Sequence, residues 1–160
     1  MSRPTPVFKA QAGRTRREQK RAEFSFKLGE AARLWRTQLD ARLKPLGLSF
    51  LQWSTLLRLS RVETQVVQKD LAFLVGIEGP AMVGILDRLV TSGWLERRVS
   101  ENDRRANTVH LTTAGEDILE QAEAAISAVR NRLLDSMSIA ELDTCIQMFE
   151  HIAARVREVE

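Results

Sequence analysis

Apolar positions recur along most of this chain at intervals of three and four, the spacing that gathers side chains on one face of a helix. Phe24, Leu28, Ala31, Trp35, Leu39 and Leu43 form the first series, continued by Leu46, and Pro45 with Gly47 ends it, so one long helix is predicted over 23–44. Ser49 and Gln52 then stand at capping-box spacing, in which the serine oxygen accepts from the third N–H and glutamine reaches back. Leu48 and Trp53 are placed as its hydrophobic staple, and Trp53, Leu56, Leu57 and Ser60 are expected on one side of the helix that follows. Val67, Leu71, Leu74 and Val75 mark a short third helix, and Gly76-Ile-Glu-Gly79 a turn. Val83, Leu86, Leu89 and Val90 mark the inner stripe of a fourth helix, opened by Pro80 and stopped at Ser92-Gly93.

Two short runs, Leu95–Val99 and Asn107–Leu111, flank a polar turn and read as a hairpin, with Thr64–Val66 as a short strand against it. Thr113 and Glu116 predict a capped start to another long helix, with Ile118, Ala122, Ile126, Val129 and Leu133 inward. Ser138 and Glu141 form a further capping box, stapled by Met137 and Leu142, before a last helix carrying Ile146, Phe149, Ala153 and Val156.

Two helices, a glycine-containing turn and a basic hairpin are the parts of a winged helix-turn-helix, a major-groove reader with a wing. The fold class is therefore mainly α with an α+β wing: a winged helix-turn-helix whose long N- and C-terminal helices form a dimer base. The DNA-binding unit falls at about 49–112, the dimerisation helices at about 23–47 and 113–160, and a basic flexible tail at 1–22, turning helical from about Thr15. The dimer is inferred from apolar helical faces that the small winged unit is too small to cover. A two-fold axis through them would set two reading helices roughly 34 Å apart, one turn of DNA.

Charge adds a direction to this picture. Residues 1–48 hold 12 Lys and Arg against 4 acids, whereas residues 113–160 hold 4 against 10. The basic end is available for phosphates and the acidic end should face away from them. The tail itself is read either as a solvated arm or as one that tracks phosphates or the minor groove. A single cysteine, Cys145, excludes an intrachain disulfide and reads as a small buried hydrophobe rather than a thiol switch. No apolar run is long enough to span a bilayer and no apolar signal segment opens the chain, so a cytoplasmic protein with no membrane contact is expected. Enzyme readings find no support. His110 and His151 lack metal-ligand spacing, and neither a phosphate-binding glycine loop nor a nucleophile motif is present, so no catalytic residue, metal or cofactor is expected.

Several segments in order carry a family pattern: Leu39-Asp-Ala-Arg-Leu-Lys-Pro-Leu-Gly-Leu48, Gly76-Ile-Glu-Gly-Pro80, Leu86-Asp-Arg-Leu89, Gly93-Trp-Leu-Glu-Arg97 and Asp103-Arg-Arg-Ala106 leading into Leu111-Thr112. Over roughly Leu28 to Val156 the chain resembles the MarR family of bacterial transcription regulators, and within it the SlyA-like branch. The resemblance implies a homodimer on a pseudo-palindromic double-stranded operator, in many members responsive to a small aromatic or phenolic ligand. A ligand-responsive repressor is the expected function. The alternatives are a winged-helix module that docks protein and a constitutive DNA-binding regulator without an effector.

The resemblance also assigns residues. Asp103 and Arg105 match the family's wing-tip pattern, an aspartate steering an arginine into the minor groove, with Arg104 between them. A narrow A·T-rich groove concentrates negative potential where a guanidinium can enter. Arg97 and Arg98 flank the wing, Arg97 either contacting phosphate or bracing Asp87. On the reading helix, Gly79, Ala81 and Gly84 stand where SlyA-like relatives often carry polar side chains. Two accounts stay open: the helix sits deep, after Pro80, and reads thymine methyls through Ala81 and Met82, or Arg88 takes over. Specificity would then rest more than usual on the wing and on operator shape. Positions matching SlyA-like salicylate contacts are Arg33, Arg36, Ser49 and Trp53, an arrangement suited to an aromatic carboxylate. The basic first helix would also suit the phosphates of an aryl-CoA thioester. The competing reading makes the tryptophans core and pairs the arginines with acidic neighbours.

Overall fold

The computed structural model describes residues 15–62, 66–99 and 107–158. Helix α1, Arg16–Leu43, begins on a capping box: Thr15 accepts from the Glu18 N–H and the Glu18 carboxylate accepts from the Thr15 N–H at 2.7 Å. Residues 16–22, expected in the tail, are therefore helical. A single 3-10 turn, Lys44–Leu46, follows at Pro45, and Gly47 closes it at φ 74°, a left-handed conformation that glycine enters without a Cβ clash. Helix α2, Phe50–Ser60, starts on the predicted Ser49–Gln52 box, and the Phe50 N–H donates to Asp40 Oδ1 at 2.6 Å, tying it to α1.

Strand β1, Val66–Val67, leads into α3, Gln68–Val75; after the turn at Gly76 comes α4, Gly79–Thr91. Strands β2, Leu95–Val99, and β3, Asn107–Leu111, form the hairpin. The sheet is antiparallel in the order β1-β3-β2, with Val109 opposite both Val66 and Arg97. The long helices α5, Thr113–Leu134, and α6, Ile139–Arg157, complete the chain. Helix α5 is capped by Thr112, not by Thr113: the Thr112 hydroxyl accepts from the Gly115 N–H and donates to the Gly93 carbonyl at 2.7 Å. That second bond anchors the cap to the turn before β2, a partner 19 residues away that local sequence does not reveal.

One core joins the winged unit to the long helices. Leu39 and Leu43 of α1, Leu56 and Leu59 of α2, Leu71 of α3, Leu86 and Leu89 of α4, Leu95 of β2 and Ile126 of α5 are all buried in it. Several predicted stripes are rotated relative to expectation. On α2 it is Leu59 that goes inside while Ser60 is exposed; on α3, Ala72 is buried and Leu74 exposed. On α4, Met82 and Ile85 are buried while Val83 faces out. Helix α4 has apolar residues on both flanks of its axis, and packing against α2, α3 and β2 together selects the stripe. On α5, Leu119 joins Ala122, Ile126 and Val129 inside, and Leu133 is exposed.

Helix α6 buries none of its residues in this chain. Ile139 is 79% exposed, Ile146 52% and Phe149 49%. On α1 every residue before Leu28 is exposed, Phe24 and Phe26 included. No helix among the described residues is long and apolar enough to cross a membrane.

Candidate nucleic-acid interface

Helix α4 stands on the outside of the winged unit with one face free. Its N-cap, Glu78, makes no side-chain cap, and Pro80 occupies the first turn, where it forfeits no hydrogen bond. Met82, Ile85, Leu86 and Leu89 hold the helix to the core, leaving Pro80, Ala81, Val83, Asp87, Arg88 and Thr91 exposed. Met82 has no exposed surface at all, so it cannot touch a base edge; Val83 is the apolar side chain presented in its stead. Gly84 lies in the middle of this free face.

The helix is bridged to the wing by charge. Arg97 Nη2 of β2 donates to Asp87 Oδ1 at 2.6 Å, which favours the bracing role for Arg97. With both groups partly exposed the pair contributes little to stability; α4 and β2 are held together mainly by Leu86, Leu89 and Leu95 in the core. Arg98 pairs with Glu96 along the same strand. Arg88 has no ion pair among the described residues and remains a free cation beside the apolar face.

Val99 and Asn107 are the last paired residues of the hairpin. Buried Thr108 donates its hydroxyl to the Arg98 carbonyl, and its oxygen lies 2.9 Å from His110 Nε2. Asp103, Arg104 and Arg105, expected at the wing tip, lie outside the described residues.

The residues expected at a ligand site divide into two groups. Ser49 Oγ is engaged in the α2 cap, where it accepts from the Gln52 N–H and donates to Gln52 Oε1. Trp53 is buried one turn on, its ring 5.5 Å from that of Phe50 and its Nε1 donating to Glu123 Oε1 at 2.9 Å. Arg130 donates to the other oxygen of the same carboxylate at 3.1 Å. Glu123 thus joins α2 to α5 and satisfies the indole; 70 residues from Trp53, it escapes any reading of local sequence. Arg33 and Arg36 are exposed on α1 and pair with no acid among the described residues, contrary to the reading that had them paired. Further up α1, Arg17, Lys20, Arg21, Phe24 and Ser25 line an open groove of about 370 Å³. Cys145 is half-buried on α6.

Comparison with known proteins bears on the whole arrangement. Residues 46–106 match the model of the MarR family. The transcriptional regulator PA3341 shares 36% identity across 84% of this chain and 98% of its own, with a TM-score of 0.77. A mutant MarR from E. coli, solved in complex with operator DNA, is 24% identical over 81% of this chain and 93% of its own, at a TM-score of 0.74. CouR from Rhodococcus jostii RHA1, bound to p-coumaroyl-CoA, is 22% identical over 81% of this chain and 91% of its own, also at 0.74. The last two share its fold.

Proposed function

Because this chain belongs to the MarR family of transcriptional regulators, we propose that it acts as a homodimer on a pseudo-palindromic operator, as a repressor released by a small aromatic carboxylate or its CoA thioester. The observation that carries the reading is the exposed face of α4, packed beside the hairpin and bridged to β2 by the Asp87–Arg97 pair. In this reading α4 enters the major groove and the hairpin beside it meets the adjoining minor groove. In this reading Arg105, steered by Asp103 and accompanied by Arg104, enters the minor groove, and Arg88 meets phosphate. Operator DNA in complex with the MarR relative supports it.

Homodimer formation is supported by the apolar faces of α1 and α6, which lack cover within one chain. An aryl-CoA effector is supported by the fold shared with CouR, by Arg33 and Arg36, which meet no acid among the described residues, and by the basic surface of α1 at Arg17 and Arg21. Placement in the SlyA-like branch rests on the motif segments of the sequence.

The test is binding of the full chain to its own promoter DNA across a salt series. Neutralised phosphates should give a steep fall of log affinity with log salt, close to 0.9 per phosphate contacted. The bare α4 surface favours one competing reading, a module that docks protein, and a flat salt response would select it. Thermal shift with aromatic acids and their CoA thioesters tests the effector. A ligand at 100 times its Kd stabilises by about 2.7 kcal/mol, and a true effector must also release the DNA. If no aromatic acid or thioester weakens binding, a constitutive regulator is left.

A further inference from the structure

The free face of α4 has a chemical character narrow enough to name what it reads. At about 100° per residue, Pro80, Gly84, Asp87 and Thr91 run along the pole opposite the buried residues, with Ala81 and Arg88 on one flank and Val83 on the other. From Gly79 to Gly84 the only side-chain heteroatom is the sulfur of Met82, and Met82 is fully buried. The N-terminal half of a recognition helix is the part that meets base edges, and here it has no hydrogen-bonding side chain to offer. The acceptors that flank this stretch are Glu78, the N-cap that precedes it, and Asp87, one of whose oxygens is taken by Arg97.

The fold does not require this bareness. A Cβ added at Gly84 or Gly79 would meet no atom within 4 Å, and neither glycine has a positive φ. A glycine inside a helix is unfavourable relative to alanine, so this chain carries at Gly84 a residue that neither its packing nor its backbone needs. Beside it Val83, 38% exposed, is an apolar side chain turned to solvent.

Resting on the DNA-binding reading above, we propose that α4 reads thymine methyl groups in the major groove, Val83 and Ala81 making the contacts and Gly84 allowing the backbone close approach. The 5-methyl of thymine is the one apolar group that a base edge shows in that groove, and it is the match for a surface of valine, alanine and bare backbone.

The test uses the full-length protein and a duplex that it selects from a randomised pool. The same duplex is then made with deoxyuridine for thymidine in the half-sites, which removes only the methyl groups. Fluorescence anisotropy at fixed salt should show about fourfold weaker binding for each contacted methyl lost. Val83→Ala should bring the thymidine-to-uridine ratio towards one. Gly84→Ala should weaken binding although its thermal melt rises. Equal affinity for the two duplexes overturns the proposal while DNA binding stands, and so does an unchanged ratio in Val83→Ala. Gly84→Ala binding as tightly as the parent overturns the close approach. If Arg88→Ala changes the selected sequence while uridine has no effect, the guanidinium is the reader instead. If no duplex is enriched and binding shows no salt dependence, the DNA-binding reading itself falls, and this inference with it.

Discussion

Gly115 and Gly84 both lie inside helices, yet a methyl group added to each meets opposite surroundings. At Gly115, the third residue of α5, a Cβ would come to 2.0 Å from the Trp94 carbonyl oxygen and 3.0 Å from Leu111 Cδ2. The obstacle is backbone, and that carbonyl already accepts the Thr112 N–H at 3.2 Å. Relief therefore demands a shift of about 1 Å or more between the start of α5 and the turn before β2. That shift strains the Thr112–Trp94 bond and the two bonds of the Thr112 hydroxyl. Overpacking of this kind costs about 1–3 kcal/mol, and one or two weakened hydrogen bonds add about 1 kcal/mol each. Against this stands the helical preference of alanine over glycine, at most about 1 kcal/mol. Gly115→Ala should thus lose about 2–4 kcal/mol net, a drop in Tm of roughly 5–15 °C for a chain of this size. Gly84→Ala, with open space around it, should gain up to about 1 kcal/mol. Thermal and urea unfolding at one fixed protein concentration measures both, since any dimer links stability to concentration. A Gly115→Ala melt within 2 °C or so of the parent would refute the argument.

Other consequences are as direct. Glu123→Ala leaves the buried Trp53 N–H and the Arg130 guanidinium without their acceptor and should cost about 1–3 kcal/mol in urea unfolding, whereas Glu123→Gln, which keeps an oxygen for the indole, should cost less. Phe149→Asp puts a charge on the exposed apolar face of α6 and should convert a dimer to monomer in sedimentation; an unchanged mass would place the contact elsewhere. Glu141 accepts first from the Ser138 backbone N–H and then from its hydroxyl, which holds its carboxyl below the usual value. On acidification the unfolded chain takes up that proton before the folded one does. The cap's contribution is therefore complete above the ordinary carboxylate range and lost as pH falls through the lowered value. Stability followed between about pH 6 and pH 3 should fall less steeply in Glu141→Gln than in the parent.

Much of the architecture was legible in the sequence because its signals are local. The Ser49–Gln52 and Ser138–Glu141 boxes each depend on groups three residues apart, and both form as read. The glycine turn and the two strands were placed by equally short-range chemistry. Which face of each helix turns inward was less legible. Helix α4 presents Met82, Val83, Ile85, Leu86, Leu89 and Val90, and periodicity alone fits more than one stripe to them. Because three elements pack on α4 at once, Met82 is buried and Val83 exposed, one residue away from the expected apolar contact.

By itself, then, the sequence determined the order of helices and strands, the Ser49 and Ser138 caps, the turns, and the mainly helical winged class. Each of those choices is made by residues within a turn or two of one another. Tertiary structure alone decided the rest: Glu123 beneath Trp53, the Thr112 hydroxyl on the Gly93 carbonyl, Asp87 tied to Arg97, and Gly115 pressed against the Trp94 carbonyl. In each of these the partner is chosen by how whole elements pack, a balance over many contacts that no local spacing records. Gly84 is the converse case: nothing in the folded chain asks for its bareness, and so its reason is sought in the surface that α4 meets.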